Sequence, residues 1–298
     1  MSSADQAAKL VKQLEGKDWK ILHALERNLS AKEDVQPAKM TKTTDLFAEE
    51  IEFRLGRLEK AGLVMRTPNG YSLVTAGLDA IALNAFANRG LISALGKPIG
   101  VGKESDVYEA ITEAGVSYAV KFYRIGRASF RAIRRKRSYL AEESPRRWFI
   151  MSIEAAKTEY NALRKLVEHS VAVPNVIARE RHALLMPRIE GAMLVNVAEM
   201  SDPKGVLLKI LANVRAAYLQ AGVVNGDLSE YNVLFDGSDV WLIDWPQAVE
   251  RSHPNADTLL DRDVLNILRF FKRRFSVESS LEDVSFYVRG WRETPSIL

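Results

Sequence analysis

A chain of 298 residues, 47% apolar and 27% charged, has the composition of a globular protein long enough to bury two separate cores. The absence of cysteine excludes disulfides and thiolate metal sites, and the histidines (His23, His169, His182, His253) lack ligand spacing, which argues against a zinc enzyme. The net charge of +4 is concentrated between residues 121 and 147, where Lys121, Arg124, Arg127, Arg131, Arg134, Arg135, Lys136, Arg137, Arg146 and Arg147 are opposed only by Glu142 and Glu143.

The first ten residues, MSSADQAAKL, lack a basic run followed by an apolar one, and no apolar stretch reaches membrane-spanning length. The expectation is a soluble, cytoplasmic protein with no membrane contact. In WKILHALERNL, Trp19, Leu22, Leu25 and Leu29 recur at three- and four-residue steps, predicting an amphipathic helix. A second periodic segment carries Leu46, Ile51, Leu55, Leu58 and Leu63 inward and ends at Ala61-Gly62. VMRTPNGYSLV then places Pro68-Asn69-Gly70 between two β-prone runs, a hairpin signal. Helices followed by a hairpin predict a winged-helix domain over residues 1–84, with Arg54 and Arg57 on an exposed helix face where nucleic acid could bind. Basic and acidic residues balance over this region, which equally suits a docking or packing module. A connecting helix is expected through residues 85–95, with Gly90 as its end.

From Gly96 to Leu298 the pattern becomes α+β. Strands are expected at VYEAIT, SYAVKFY and ALLMPRI, with helices at IEAAKTEYNALRKLV, at GVLLKILANVRAAYLQAG and from about Thr258. The loop IGVGKESDVYEA is not a Walker A motif, because Glu104 follows Gly-Lys, and Ser105 replaces the third glycine of G-x-G-x-x-G. Gly100 and Gly102 still permit close approach of backbone N–H groups to phosphate, with Val101, Lys103, Glu104 and Ser105 completing the loop. Lys121 shares a strand face with Ala119, suited to reaching α- and β-phosphates, and Glu159 on the following helix is its candidate partner. At MPRIEG the chain would cross between lobes. Backbone groups of Pro187 and Ile189 would bond adenine there, with Met186 either lining that pocket or simply filling core.

GDLSEYNVLF followed by VWLIDW places Asn232 five residues after Asp227 and Asp244 at the end of an apolar run. An aspartate can orient a nucleophile and accept its proton, while an amide oxygen and a second carboxylate hold Mg²⁺, or alternatively Mn²⁺, against ATP phosphates. The order is that of protein kinases. Asp261 and Asp263 are expected to brace the loop rather than ligate metal.

Together, G-x-G-K-E-S-D-V-Y, A-V-K-F-Y-R-I-G-R, G-D-L-S-E-Y-N-V-L, I-D-W-P-Q and the H-P-N-A-D-x-L-L-D-R-D run resemble the RIO family of atypical protein kinases, and the winged helix ahead of them resembles its second subfamily. The resemblance implies a two-lobed protein-kinase-like domain over 96–298, with an N-lobe to about 186 and a C-lobe from about 190. It implies catalytic Asp227 and Lys121, metal-binding Asn232 and Asp244, and ATP contacts through residues 100–105. It also implies a role in small ribosomal subunit maturation with rRNA or a subunit precursor as partner. By its charge, the cluster Arg131, Arg134, Arg135, Lys136 and Arg137 would meet rRNA phosphate or an acidic protein surface, and Ser129 and Ser138 within the same stretch are candidate autophosphorylation sites. The family's usual histidine two residues before the catalytic aspartate is Asn225 here, so altered loop support is expected. The alternative readings are a winged-helix nucleic-acid regulator with a nucleotide-sensing kinase-like domain, and a small-molecule kinase of aminoglycoside or choline-kinase type. The short run after Asp244 lacks an A-P-E segment, which argues against a broad peptide-substrate platform.

Overall fold

The computed structural model describes residues 2–30, 34–126 and 145–298. The candidate positions Arg127, Ser129, Arg131, Arg134, Arg135, Lys136, Arg137 and Ser138 lie outside these residues. Two compact units are present, one formed by Met1–Ala156 with Ala178–Leu185, the other by Lys157–Ile177 with Met186–Leu298.

The first unit opens with α1 (Ser3–Val11), a polar helix the apolar periodicity does not reveal. It is held at its start by a capping box in which Ser2 and Asp5 satisfy each other's backbone N–H groups. Helices α2 (Gly16–Arg27), α3 (Pro37–Thr44) and α4 (Ala48–Lys60) lead into an antiparallel hairpin of β1 (Val64–Thr67) and β2 (Gly70–Leu73), the expected helices-plus-wing order. Ile51, Leu55 and Leu58 of α4 pack inward with Ile21, Leu22 and Leu25 of α2. Helix α5 (Thr75–Asn88) is buried along most of its length. Gly90 follows it at φ 66°, a left-handed conformation that stops a helix. The helix expected through 85–95 therefore ends at Asn88, and a strand begins at Ala94.

Arg54 and Arg57 correct a second expectation. Arg54 is 6% exposed and bonds Asp18 and Glu15, each at 3.0 Å, while Arg57 reaches the same two carboxylates at 2.8 Å. Asp18 is buried on α2, and an unpaired carboxylate there would be costly. The two arginines neutralise it: Arg54 is withdrawn from the surface, and Arg57, half-exposed, is held by the same carboxylates.

Beyond α5, strands β3 (Ala94–Val101), β4 (Ser105–Ile111), β5 (Ser117–Tyr123), β6 (Ala178–Glu180) and β7 (Ala183–Pro187) form one sheet in the order β3-β4-β5-β7-β6. On β4, Asp106, Tyr108 and Ala110 are buried and alternate with half-exposed residues, the period-two signature of a strand with one covered face. A buried ionic cluster joins α5 to this sheet. Arg124, just past β5, bonds both Asp79 carboxylate oxygens at 2.7 and 2.9 Å and Asp106 at 3.1 Å, and the His182 ring lies 2.8 Å from Asp79.

Helix α6 (Pro145–Glu168) starts in the first unit and ends in the second. In the second unit, α7 (Pro203–Ala216) continues as a π-helical turn, Ala217–Ala221, and stops at Gly222. Small strands follow: β8 (Ala192–Met193), β10 (Val233–Phe235) and β11 (Val240–Leu242) in one sheet, and β9 (Val223–Val224) with β12 (Val249–Glu250) in another. Helices α8 (Ala256–Phe275) and α9 (Leu281–Val288) complete a core that includes Leu207, Ile210 and Leu211 with Val264, Ile267, Phe271 and Val284. Among the described residues no helix is long and apolar enough to cross a membrane.

Candidate active-site residues

The first unit carries the glycine loop and Lys121. β3 and β4 pair across it with Gly100 opposite Val107 and Val101 opposite Asp106, and the Gly102 N–H closes the turn onto the Ser105 carbonyl at 2.8 Å. Val101, Gly102, Lys103 and Glu104 are exposed, Gly100 and Ser105 half-exposed. An added Cβ on Gly100 would meet nothing within 4 Å, so its lack of a side chain is not required by the protein's own packing. It leaves the backbone bare to a ligand. Lys121 pairs with Val107 and Ala119 with Glu109, so Lys121 and Ala119 share one sheet face, as expected. Lys121 is 6% exposed with its Nζ 4.9 Å from the Tyr123 ring centre, a cation held against an aromatic face.

The second unit carries the remaining candidates. Met186, at the end of β7, is buried, and the chain then runs exposed through Pro187 and Arg188 to a half-buried Ile189. Glu159 lies on α6 and is 2% exposed.

Asp227, Asn232 and Asp244 are brought together by their own backbone. Asn232 donates its amide N–H to the Asp227 carbonyl at 2.9 Å, and its backbone carbonyl accepts the Ile243 N–H at 2.9 Å. Asn225 closes the arrangement from beneath: its Nδ2 donates to the Asp244 carbonyl and its Oδ1 accepts the Asp227 N–H, both at 3.1 Å. The asparagine that replaces the resemblance's histidine is thus a two-armed brace between the aspartates. Asp244 needs one, because it sits at φ 66°, a conformation costing a non-glycine residue on the order of 1 kcal/mol. Gly226 at φ 79° is required sterically, since a Cβ there would lie 2.9 Å from the Gln247 carbonyl.

The Asp227 carboxylate is exposed and accepts from Gln247 Nε2 at 3.4 Å. Its pKa is raised by desolvation first, with Arg262 pulling it down and Asp244 pushing it up. A carboxylate so shifted is a better proton acceptor. Gln247 and Arg262 fall inside the I-D-W-P-Q and L-L-D-R-D motifs, but the sequence assigns neither a role. Arg262 bonds the Gly226 carbonyl, and its adjacency to Asp263 in LLDRD is the one signal it leaves.

Asp263 braces the loop as expected, accepting the N–H groups of Gly226 at 2.8 Å and Leu228 at 3.0 Å. Asp261 does not: it bonds Arg289 at 2.8 Å and Ser285 at 2.7 Å, tying α8 to α9 and the turn after it. Burial pushes Asp263 up to about 6, against the two amide donors that favour its charge. Protonation would turn one accepting oxygen into an O–H that confronts an N–H. Turnover is therefore expected to fall as pH drops through about 6. The Asp263→Asn variant, which always presents an N–H to one of these amides, should lose activity at pH 8 as well. A pH–rate profile of the two proteins checks this.

Comparison with known proteins places these features in context. A RIO domain model matches residues 106–284, and a Rio2 N-terminal model matches residues 11–89. The RIO-type serine/threonine-protein kinase Rio2 of Methanocaldococcus jannaschii is 38% identical over 247 residues, covering 81% of this chain and 88% of its own length. The serine/threonine-protein kinase rio2 of Schizosaccharomyces pombe is 32% identical, covering 93% and 83% respectively. The crystal structure of the Rio2 kinase from Chaetomium thermophilum, in an ADP/Mg²⁺-phosphoaspartate complex, aligns with a TM-score of 0.82 at 30% identity, covering 96% of this chain and 94% of that one.

Proposed function

Because the chain belongs to the RIO family of serine/threonine-protein kinases, with the N-terminal domain of its Rio2 branch, we propose that it transfers the γ-phosphate of ATP, with Mg²⁺, at the site built around Asp227, Asn232 and Asp244. The observation that carries this is the Asn225 bridge, which holds the backbones of Asp227 and Asp244 in one hydrogen-bonded frame.

The donor set fits a hard cation. Asn232 uses its amide nitrogen on the Asp227 carbonyl, so its oxygen is the polar atom left to offer, and Asp244 adds a carboxylate. Bound there, Mg²⁺ would neutralise charge on the phosphates. Asp227 orients the substrate hydroxyl and takes its proton. Lys121 supplies positive charge from its strand to the α- and β-phosphates, and the exposed glycine loop of residues 100–105 covers them. Met186 and Ile189 line the adenine pocket.

The wider role we propose is maturation of the small ribosomal subunit, in the cytoplasm. Membership of the Rio2 branch supports it, as does the basic excess that residues 127–147 carry once the buried Lys121 and Arg124 are set aside, a charge that suits rRNA phosphate. Co-sedimentation of the full chain with small-subunit particles tests this reading. Association that weakens with salt and depends on the nucleotide present is expected, and its absence at physiological salt would reject the ribosomal role.

A further inference from the structure

Helix α4 holds the place of the recognition helix in a winged helix, the element that enters a DNA groove. Its charges are arranged against that use. Arg54 and Arg57 are spent on Glu15 and Asp18, whereas Glu49, Glu52 and Glu59 are exposed. Phe53 also points outward and is 65% exposed. Helical spacing sets Glu49, Glu52, Phe53 and Gly56 along one stripe, with Lys60 as the exposed cation at its end.

Between α4 and the wing runs an open groove of about 910 Å³, with Glu52, Gly56 and Glu59 on one side and Pro37, Arg66 and Tyr71 among the residues opposite. Glu59 also accepts the Arg66 backbone N–H at 3.3 Å. Gly56 is the least expected of these residues. It sits inside a thirteen-residue helix, where glycine is disfavoured relative to alanine, yet an added Cβ would meet nothing within 4 Å. The protein's own packing gives no reason for a glycine, but a ligand lying on the groove floor would.

We infer that this groove docks an extended, lysine- or arginine-rich segment of a partner protein. The segment lies on the bare backbone at Gly56 with its cations meeting Glu52 and Glu59 in the groove, and where it passes the groove's edge along α4 an apolar side chain reaches the exposed Phe53 and a further cation Glu49. Charge complementarity selects this occupant, because Glu52 and Glu59 outnumber the exposed Arg66 in the groove and Glu49 adds to them beside it, so that duplex nucleic acid would press phosphates against a net negative face. The inference is independent of the kinase reading, since none of these residues belongs to the phosphoryl-transfer machinery.

Fluorescence polarisation with the full chain tests it, using an array of labelled peptides of about twelve residues, an extent typical of groove ligands. These carry alternating Lys or Arg with Leu, Phe or Trp at the centre, and acidic peptides and duplex RNA and DNA are run beside them. Saturable binding of basic members is expected, weakened about tenfold or more by Phe53→Ser and by Glu52→Lys. Gly56→Ala is the decisive variant. It should raise the thermal midpoint through helix propensity while weakening the peptide, a combination that damage to the fold cannot produce. Three results would overturn the inference: no basic peptide bound more tightly than about 1 mM, binding indifferent to all three substitutions, or duplex binding weakened by Phe53→Ser.

Discussion

Asp227→Asn is expected to lower Mg²⁺-dependent phosphate transfer by about 10²–10⁴-fold, the usual contribution of a positioned general base. The reason is local. The carboxylate is exposed and shifted toward a stronger base, whereas an amide has no comparable affinity for a proton. The exposed carboxylate is not needed for the loop's shape, because the Asp227 N–H and carbonyl make the structural bonds, to Asn225 and Asn232. The thermal midpoint of the variant should therefore stay close to that of the parent. Asp244→Asn should fail differently, requiring higher Mg²⁺ for the residual turnover because a carboxylate donor has become a neutral amide. Steady-state ATP turnover measured over a Mg²⁺ series separates the two. Undiminished turnover in both variants would exclude the proposed site.

Arg124→Met is expected to destabilise the first unit by about 3–5 kcal/mol, the cost of leaving buried charge without its partner. Asp79 is fully buried and Asp106 is 2% exposed, and both bond this guanidinium. At a few degrees per kcal/mol for a body of this size, the thermal midpoint should drop by roughly 10 °C. Adding Asp79→Leu should recover part of that loss, because the orphaned carboxylate goes with the charge that served it. The same cluster sets an acid limit. Burial by itself would raise the Asp79 pKa, but the Arg124 charge and the His182 contact outweigh it and bring it down to about 2. A carboxyl depressed in the folded state contributes stability that is complete above its unfolded value, near 4, and is lost as pH falls through about 2. Roughly 2–3 kcal/mol of stability should disappear across that interval. Urea unfolding at a series of pH values would show the slope, and Asp79→Asn would flatten it.

The expectations that held were those with a short-range cause. The wing turn, the glycine after α5 and the alternation that places Lys121 beside Ala119 each depend on neighbours within a few residues. The bracing role of Asp263 was legible only through the family resemblance, since β10, β11 and β12 separate helix α8 from the Gly226 and Leu228 N–H groups it receives. Helix α1 was missed because it is polar and short, and it stands through its capping box and its packing near Tyr108, whose hydroxyl reaches Ser2 at 2.6 Å. The outward placement expected of Arg54 failed, and the half-exposed Arg57 is tied down, because the buried carboxylate that draws them, Asp18, lies on another helix. Helical periodicity describes one helix and carries no information about the charge it will meet.

The amino-acid sequence by itself therefore determined the fold class and the family, because these rest on residue type and spacing along the chain. Tertiary structure alone decided what joins distant segments: Arg124 between Asp79 and Asp106, Asn225 between Asp227 and Asp244, and the pairing that leaves carboxylates and Phe53 on the outer face of α4. The physical reason is burial. A charge removed from water must find its partner wherever the fold puts one, and no local pattern encodes where that is.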